Sequence, residues 1–294
     1  MSNSLKIKAP AKINLTLDVT GRRPNGYHDL QMIMQTIDLY DELTITQIPE
    51  EEILLSMNKE LPDKIPPEKN LVWKAANLIK NHCNIPGGFS IYLEKNIPAA
   101  AGLAGGSSDC AATLLGINKL CGLSLSLEEL CQLGVSLGAD VPFCIRKGTM
   151  LSEGIGEILT PLPPLTPLWV LLIKPDISVS TAYVYTHLDL EGLTSHPNTQ
   201  QMLDCISRKD DVGLAKGLAN VLETVTIPEY PILAELKQFF LTEGAIGSLM
   251  SGSGPTTYGL FQDEILARMA LKKAQKSYPD YDVILCRTKL PDED

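Results

Sequence analysis

The 294 residues carry 35 acidic against 25 basic side chains, a formal net charge of −10. A field of that sign repels nucleic acid and anionic lipid, so a polyanionic ligand must be drawn by local groups: helix N-termini, loop amides, a few lysines or a divalent cation. At 44% hydrophobic and 20% charged the chain supports a core throughout, its length suits one large or two ordinary domains, and no apolar run approaches the ~18 residues of a membrane span. Residues 1–8 lack the apolar stretch of a secretory signal, and the seven cysteines (83, 110, 121, 131, 144, 205 and 286) form no C-x-x-C pair. The simplest reading is a cytoplasmic protein with reduced thiols.

Along the chain, Ile13, Leu15, Leu17 and Val19 alternate with Lys12, Asn14, Thr16 and Asp18, which predicts a half-buried strand with Lys12 and Asn14 on one face. Pro24-Asn25-Gly26 marks a turn, residues 43–46 a further strand, and residues 62–67 a loop. Asn70 opens a helix with apolar positions at Leu71, Ala75, Leu78 and Ile79. A strand at 89–95 leads into a glycine-rich stretch, 98–109, followed by helical spacing at Ala111, Leu114, Leu115 and Cys121. Ser126 and Glu129 form a capping box for a helix that should stop near Gly138.

The proline-rich run 161–167 breaks the chain, and the division into domains 1–162 and 163–294 is drawn there. Residues 168–173 are continuously apolar, as in a strand buried on both faces. Helical patterns at 198–207, 211–224 and 231–242 precede a strand, glycine turn and strand over 248–258, a helix at 264–277 and a last strand at 283–289. Strands and helices mix without strict βα alternation, which favours an α+β class.

Five segments carry chemistry. In Pro98, Ala99, Ala100, Ala101, Gly102, Leu103, Ala104, Gly105, Gly106, Ser107 and Ser108, the glycines allow close backbone approach and positive φ. Ser107, Ser108 and Asp109 fall at a helix start, where free N–H groups and the dipole favour phosphate. The spacing matches neither the G-x-x-x-x-G-K-[ST] nor the G-x-G-x-x-G fingerprint. Lys12, in Pro10-Ala11-Lys12-Ile13-Asn14, is placed to reach a phosphate or a carboxylate, although alone it reads as a solvent-facing lysine. Asp140, before Val141 and Pro142, alone reads as a turn aspartate, with Val141 held extended by the proline. Tyr27 and His28 offer a stacking face and a ring nitrogen suited to a heterocycle, and Ser251-Gly252-Ser253-Gly254-Pro255 is a tight turn.

Taken together and in this order, these segments resemble the GHMP kinases over nearly the whole chain. The three motifs of that superfamily appear at 10–14, 98–109 and 249–255, while 22–28 and 138–143 resemble a branch whose acceptor carries a cytidine diphosphate. Cys110, where alanine is frequent in the family, is the one small departure noted. The resemblance implies a two-domain α+β architecture, with a mixed N-terminal sheet and helices and a ferredoxin-like C-terminal domain. It implies ATP as phosphoryl donor to the 2-hydroxyl of a cytidyl polyol, with Mg²⁺ on the phosphates through ligands the sequence does not assign. Residues 98–108 would hold the triphosphate. Asp140 would orient and deprotonate the hydroxyl, with Lys12 beside it keeping the carboxylate ionised. Asn14, Tyr27, His28, Thr181 and Tyr185 would contact the acceptor, with Tyr183 a competing stacking partner, and Gly252 and Ser253 would close over the site. A monomer and a homodimer are both compatible, with no nucleic acid or membrane partner. Rival readings are a GHMP kinase for homoserine, a mevalonate or a sugar, and a non-catalytic nucleotide-binding protein on the same fold.

Overall fold

The computed structural model describes residues 3–24, 26–59 and 66–289. Two compact units emerge, and neither is contiguous in sequence. Unit 1 comprises Met1–Ala11, Leu39–Ala99 and Ala104–Arg146, and unit 2 comprises Lys12–Asp38, Ala100–Leu103 and Lys147–Asp294. Two long strands, β1 (Ser4–Arg22) and β2 (His28–Ile48), contribute a segment to each.

In unit 1, β3 (Ile53–Met57) pairs in parallel with β4 (Gly88–Glu94), and β4 pairs antiparallel with the Glu42–Ile48 end of β2. Helix α1 (Leu71–His82) begins where expected, with the Asn70 side chain accepting from the Val72 N–H, and it buries Val72, Ala75, Ala76 and Ile79. It packs on α2 (Gly105–Leu120), in which Ser108 to Leu114 are buried. Helix α3 (Leu127–Val135) carries both halves of the Ser126–Glu129 capping box. The expectation for Val141 is corrected. Residues Val141–Arg146 form α4, with Val141 and Pro142 as its first two residues, where the missing proline N–H has no intrahelical partner to lose. The loop expected at 62–67 lies largely outside the described residues.

In unit 2, the Leu30–Gln35 part of β2 pairs antiparallel with β5 (Thr149–Gly154), which pairs with β6 (Ile158–Pro161). Strand β7 (Trp169–Lys174) is nearly all buried and central, as its unbroken apolar run predicts. Short helix α5 (Thr181–His187) follows, then α6 (Thr199–Arg208). The helix expected over 211–224 is interrupted. Helix α7 (Asp211–Lys216) stops at Gly217, Ala219–Asn220 pair in parallel with Thr16 and Leu17 as β8, and α8 (Glu223–Glu229) starts afresh. Tertiary pairing overrides local helix propensity there. Helix α9 (Ile232–Thr242), strands β9 (Gly247–Met250) and β10 (Thr257–Phe261), α10 (Glu264–Ser277) and β11 (Asp282–Arg287) complete an antiparallel sheet of order β11-β7-β10-β9. No helix among the described residues is long and apolar enough to cross a membrane.

Strand β1 differs from its expected half-buried form: residues 9–19 are buried on both faces. The apolar side chains Ile13, Leu15 and Leu17 each contribute about 1.5–3 kcal/mol by leaving water. The groups of the polar face are hydrogen-bonded inside unit 2, which offsets their desolvation in part and leaves the charge of Lys12 without a counter-ion among the described residues. Lys12 bonds Asn14, Thr16 Oγ1 accepts from the Ile33 N–H at 3.0 Å, and Asp18 bonds the Val19 N–H and His196 Nδ1, each at 2.9 Å.

Candidate active site

The glycine stretch leaves unit 1 at Ala100 and returns at Ala104. Gly102 has φ +73°, and a Cβ there would lie 2.1 Å from the Ser251 carbonyl oxygen. The Ser251 hydroxyl donates to the Gly102 carbonyl at 2.9 Å, so the loop and the 251–254 turn are locked together in unit 2. The turn itself contains a cis Gly254–Pro255 bond. Leu103 accepts from the Lys12 N–H at 3.1 Å.

Helix α2 starts at Gly105, two residues before the expected Ser107. Its N-cap is Ala104 in the left-handed region, φ 56°, and no side chain caps it. Free first-turn N–H groups without a capping oxygen leave the helix end open to an anion. A Cβ at Gly106 would meet only Leu71 Cδ1, at 3.7 Å, so the space above the backbone there is open. Ser107 is partly exposed, whereas Ser108 is buried and its hydroxyl donates to the Pro10 carbonyl at 2.6 Å. Burial pushes the neighbouring Cys110 thiol up to about 12, which makes it inert.

Lys12 is only 4% exposed, and its ammonium donates to Asn14 Oδ1 at 2.6 Å. Among the described residues it makes no ion pair. The same Asn14 oxygen accepts the Gly252 N–H at 3.0 Å, and a Cβ on Gly252 would be 3.6 Å from Lys12 Nζ. Lys12, Asn14 and Gly252 thus form one buried network within unit 2. Two residues missed by sequence reasoning hold it. Asn220 Nδ2 donates to the Met250 and Gly252 carbonyls at 2.9 and 2.8 Å, and the Thr226 hydroxyl donates to the Ser253 carbonyl at 3.2 Å. Asn220 sits inside an apparent helical pattern, so no local signal singled it out.

His28 is 8% exposed, and its ring centroid lies 5.2 Å from that of Tyr185. Arg22 Nε donates to His28 Nε2 at 3.2 Å, which makes Nε2 an acceptor and leaves the proton on Nδ1. Burial first, and Arg22 second, hold its pKa below the ordinary histidine value. Tyr183 instead stacks on His187 with centroids 3.8 Å apart. Tyr27 is 56% exposed. Thr181, the first residue of α5, shares a 2.8 Å hydroxyl contact with Ser253. His28, Tyr185, Thr181 and Ser253 all belong to unit 2.

Asp140 belongs to unit 1, half-buried, and its carbonyl accepts the first α4 bond from the Cys144 N–H at 3.1 Å. A Cβ on Gly138 would lie 3.8 Å from Ser107 Oγ, so the turn bearing Asp140 runs beside the first turn of α2. Among the described residues no group of three His, Cys, Asp or Glu side chains is arranged to hold a metal.

Residues 70–148 match the model for the GHMP kinases N terminal domain, and residues 193–280 that for GHMP kinases C terminal. The chain is 49% identical over 280 residues to a 4-diphosphocytidyl-2-C-methyl-D-erythritol kinase of Lachnoclostridium phytofermentans, covering 95% of this chain and 93% of that one. A crystal structure of 4-(cytidine 5'-diphospho)-2C-methyl-D-erythritol kinase superposes with a TM-score of 0.81 at 32% identity, over 97% of this chain and 100% of that one. Homoserine kinase from Cytophaga hutchinsonii superposes with a TM-score of 0.80 at 19% identity, over 99% and 96%, a likeness of fold alone.

Proposed function

The chain belongs to the GHMP kinases, within their 4-diphosphocytidyl-2-C-methyl-D-erythritol kinase branch, and on that premise we propose that it moves the γ-phosphoryl of ATP to the 2-hydroxyl of 4-diphosphocytidyl-2-C-methyl-D-erythritol. This is a step of the methylerythritol phosphate route to isoprenoid precursors, and the protein acts in the cytoplasm. The observation that carries the reading is Lys12: a buried ammonium without a carboxylate partner among the described residues awaits an anion. A transferring phosphoryl group supplies one.

Phosphoryl transfer is loose and asks the protein for positioning and charge stabilisation. The open end of α2 and the loop amides of residues 98–108 receive the triphosphate. Lys12 counters the charge on the group in flight. Asp140 orients the acceptor hydroxyl and takes its proton. Asn14, with its Oδ1 engaged by Lys12 and Gly252, holds the ammonium in place and lines the acceptor path. His28, as the neutral Nδ1–H tautomer, donates to the cytosine edge, while Tyr27 and Tyr185 bracket the ring. Tyr185 is favoured over Tyr183 because its ring lies beside that of His28, with centroids 5.2 Å apart, whereas Tyr183 stacks on His187. Thr181 and Ser253 hold the acceptor's far side. Mg²⁺ fits as an ion carried mainly by phosphate and water, since it seldom needs an all-protein cage. It would neutralise phosphate charge. The family-model matches at 70–148 and 193–280 fall on either side of residue 162, which supports the division 1–162 and 163–294 as functional domains.

The test is ADP release with a panel of acceptors. Turnover that depends strictly on the cytidyl substrate supports the proposal. Comparable turnover with homoserine or mevalonate ends it.

A further inference from the structure

Where the chain enters and leaves the glycine loop, within unit 1, lies an ionic cluster that the reaction described above does not use. Lys95, directly after β4, has a side chain 10% exposed, and its ammonium pairs with Asp41 Oδ2 of β2 and, at 2.7 Å, with Asp109 Oδ2 of α2. The other oxygen of Asp41 accepts the N–H groups of Asn96 and Ile97, at 2.6 and 2.8 Å. Asn96 and Ile97 are the two residues through which the chain enters the loop, and Asp109 stands in the helix by which it leaves. A Cβ on Gly105 would come 3.1 Å from Ile97 Cγ2 and 3.4 Å from Lys95 Nζ, so the loop's exit sits directly on the cluster. Asp41 is 0% exposed and Asp109 3%. Asp109 Oδ1 has no hydrogen-bond partner among the described residues.

Two carboxyl groups and one ammonium, all buried, make an expensive way to build a core, because apolar side chains of the same volume would pack there without desolvating charged and polar groups. What the arrangement adds is a fixed distance. We propose that Lys95 is a positioning residue for the donor nucleotide: by pairing with Asp41 at the entry of the glycine loop and Asp109 at its exit, it sets the spacing of the loop's ends and hence of the amides that face the triphosphate. The inference rests on the reading of residues 98–108 as the nucleotide loop. Lys95 touches no reacting atom in this scheme; it acts through the backbone.

Asp109→Leu cuts the link to the exit while leaving Lys95 and Asp41 as a neutral pair. In the full-length enzyme it should raise the KM for ATP about tenfold, with kcat at saturating ATP and the KM for the cytidyl substrate each within about twofold of wild type. Asp109→Asn keeps an oxygen opposite the ammonium and should return the ATP KM to within about threefold of wild type. Should Asp109→Leu not fold, Lys95→Met combined with Asp109→Asn severs the same link without leaving two facing carboxylates, and the same rise is expected. A folded variant with a lowered melting temperature and an unchanged ATP KM makes the cluster merely structural and overturns the inference. Equal rises in both Michaelis constants do the same. Gly106→Val separates this from the underlying reading: its side chain fills the open space above the helix end, so an unchanged ATP KM there refutes the nucleotide loop itself.

Discussion

Replacing Gly102 by alanine tests the junction on which the loop depends. The residue sits at φ +73°, and the added Cβ would be 2.1 Å from the Ser251 carbonyl oxygen and 3.2 Å from that of Gly254. Both are backbone atoms, so the clash clears only if the loop retreats by roughly 1 Å or more. The left-handed backbone costs a residue with a Cβ about 1–2 kcal/mol. The retreat also stretches the bond from the Ser251 hydroxyl to the Gly102 carbonyl, worth about 1 kcal/mol. Together Gly102→Ala should lose about 2–3 kcal/mol in urea denaturation and raise the KM for ATP. Gly106→Ala, four positions on, provides the contrast. It has no positive φ and lies in the first turn of α2, so it should gain up to about 1 kcal/mol while still weakening ATP binding. A Gly102→Ala protein within about 0.5 kcal/mol of wild type, the range of an ordinary surface change, would refute the lock between loop and turn.

Lys12→Met should abolish measurable turnover yet gain about 1–3 kcal/mol of stability, since it removes a buried charge with no counter-ion among the described residues; thermal melts and a coupled assay read the two opposite signs. Asp140→Asn should cut kcat by about 10²–10⁴ with ATP affinity nearly intact, and near-normal turnover would remove Asp140 from the role of base. His28→Ala should raise the KM for the cytidyl substrate without changing that for ATP, measured by steady-state kinetics with each substrate varied. Burial, assisted by Asp41 and outweighing the attraction of Lys95, raises the Asp109 carboxyl from 3.8 to about 8. The folded protein therefore holds a proton that the unfolded chain releases between those values, and stability falls as pH rises through that window, by up to about 1.4 kcal/mol per pH unit. Melting temperatures at successive pH values should show Asp109→Asn gaining on wild type toward alkaline pH; parallel curves would contradict the shift.

Legibility followed the range of the interactions involved. The helix starts at Asn70 and Ser126 are declared by side chains that cap amides two or three residues away, and they stand where the sequence places them. The unbroken apolar run of β7 likewise announces a strand covered on both faces. Strand β2 was legible only at its 43–46 end, because Gln31, Gln35 and Thr36 interrupt the apolar pattern and become acceptable inside only through partners elsewhere in the chain. The break of the 211–224 helix into α7, β8 and α8 was illegible for the same reason: it is imposed by pairing with β1.

The candidate site divides in the same way. The order of its motifs, and with it the kinase family and the α+β class, is written in the sequence, because glycine positions, helix caps and apolar periods act over a few residues. Asn220 behind the 251–254 turn, the burial of Lys12 against Asn14 and the bridge of Lys95 between Asp41 and Asp109 belong to the tertiary structure alone. Each joins residues with no local pattern linking them. A buried charge or amide takes its meaning from whatever faces it, and only folding decides what does.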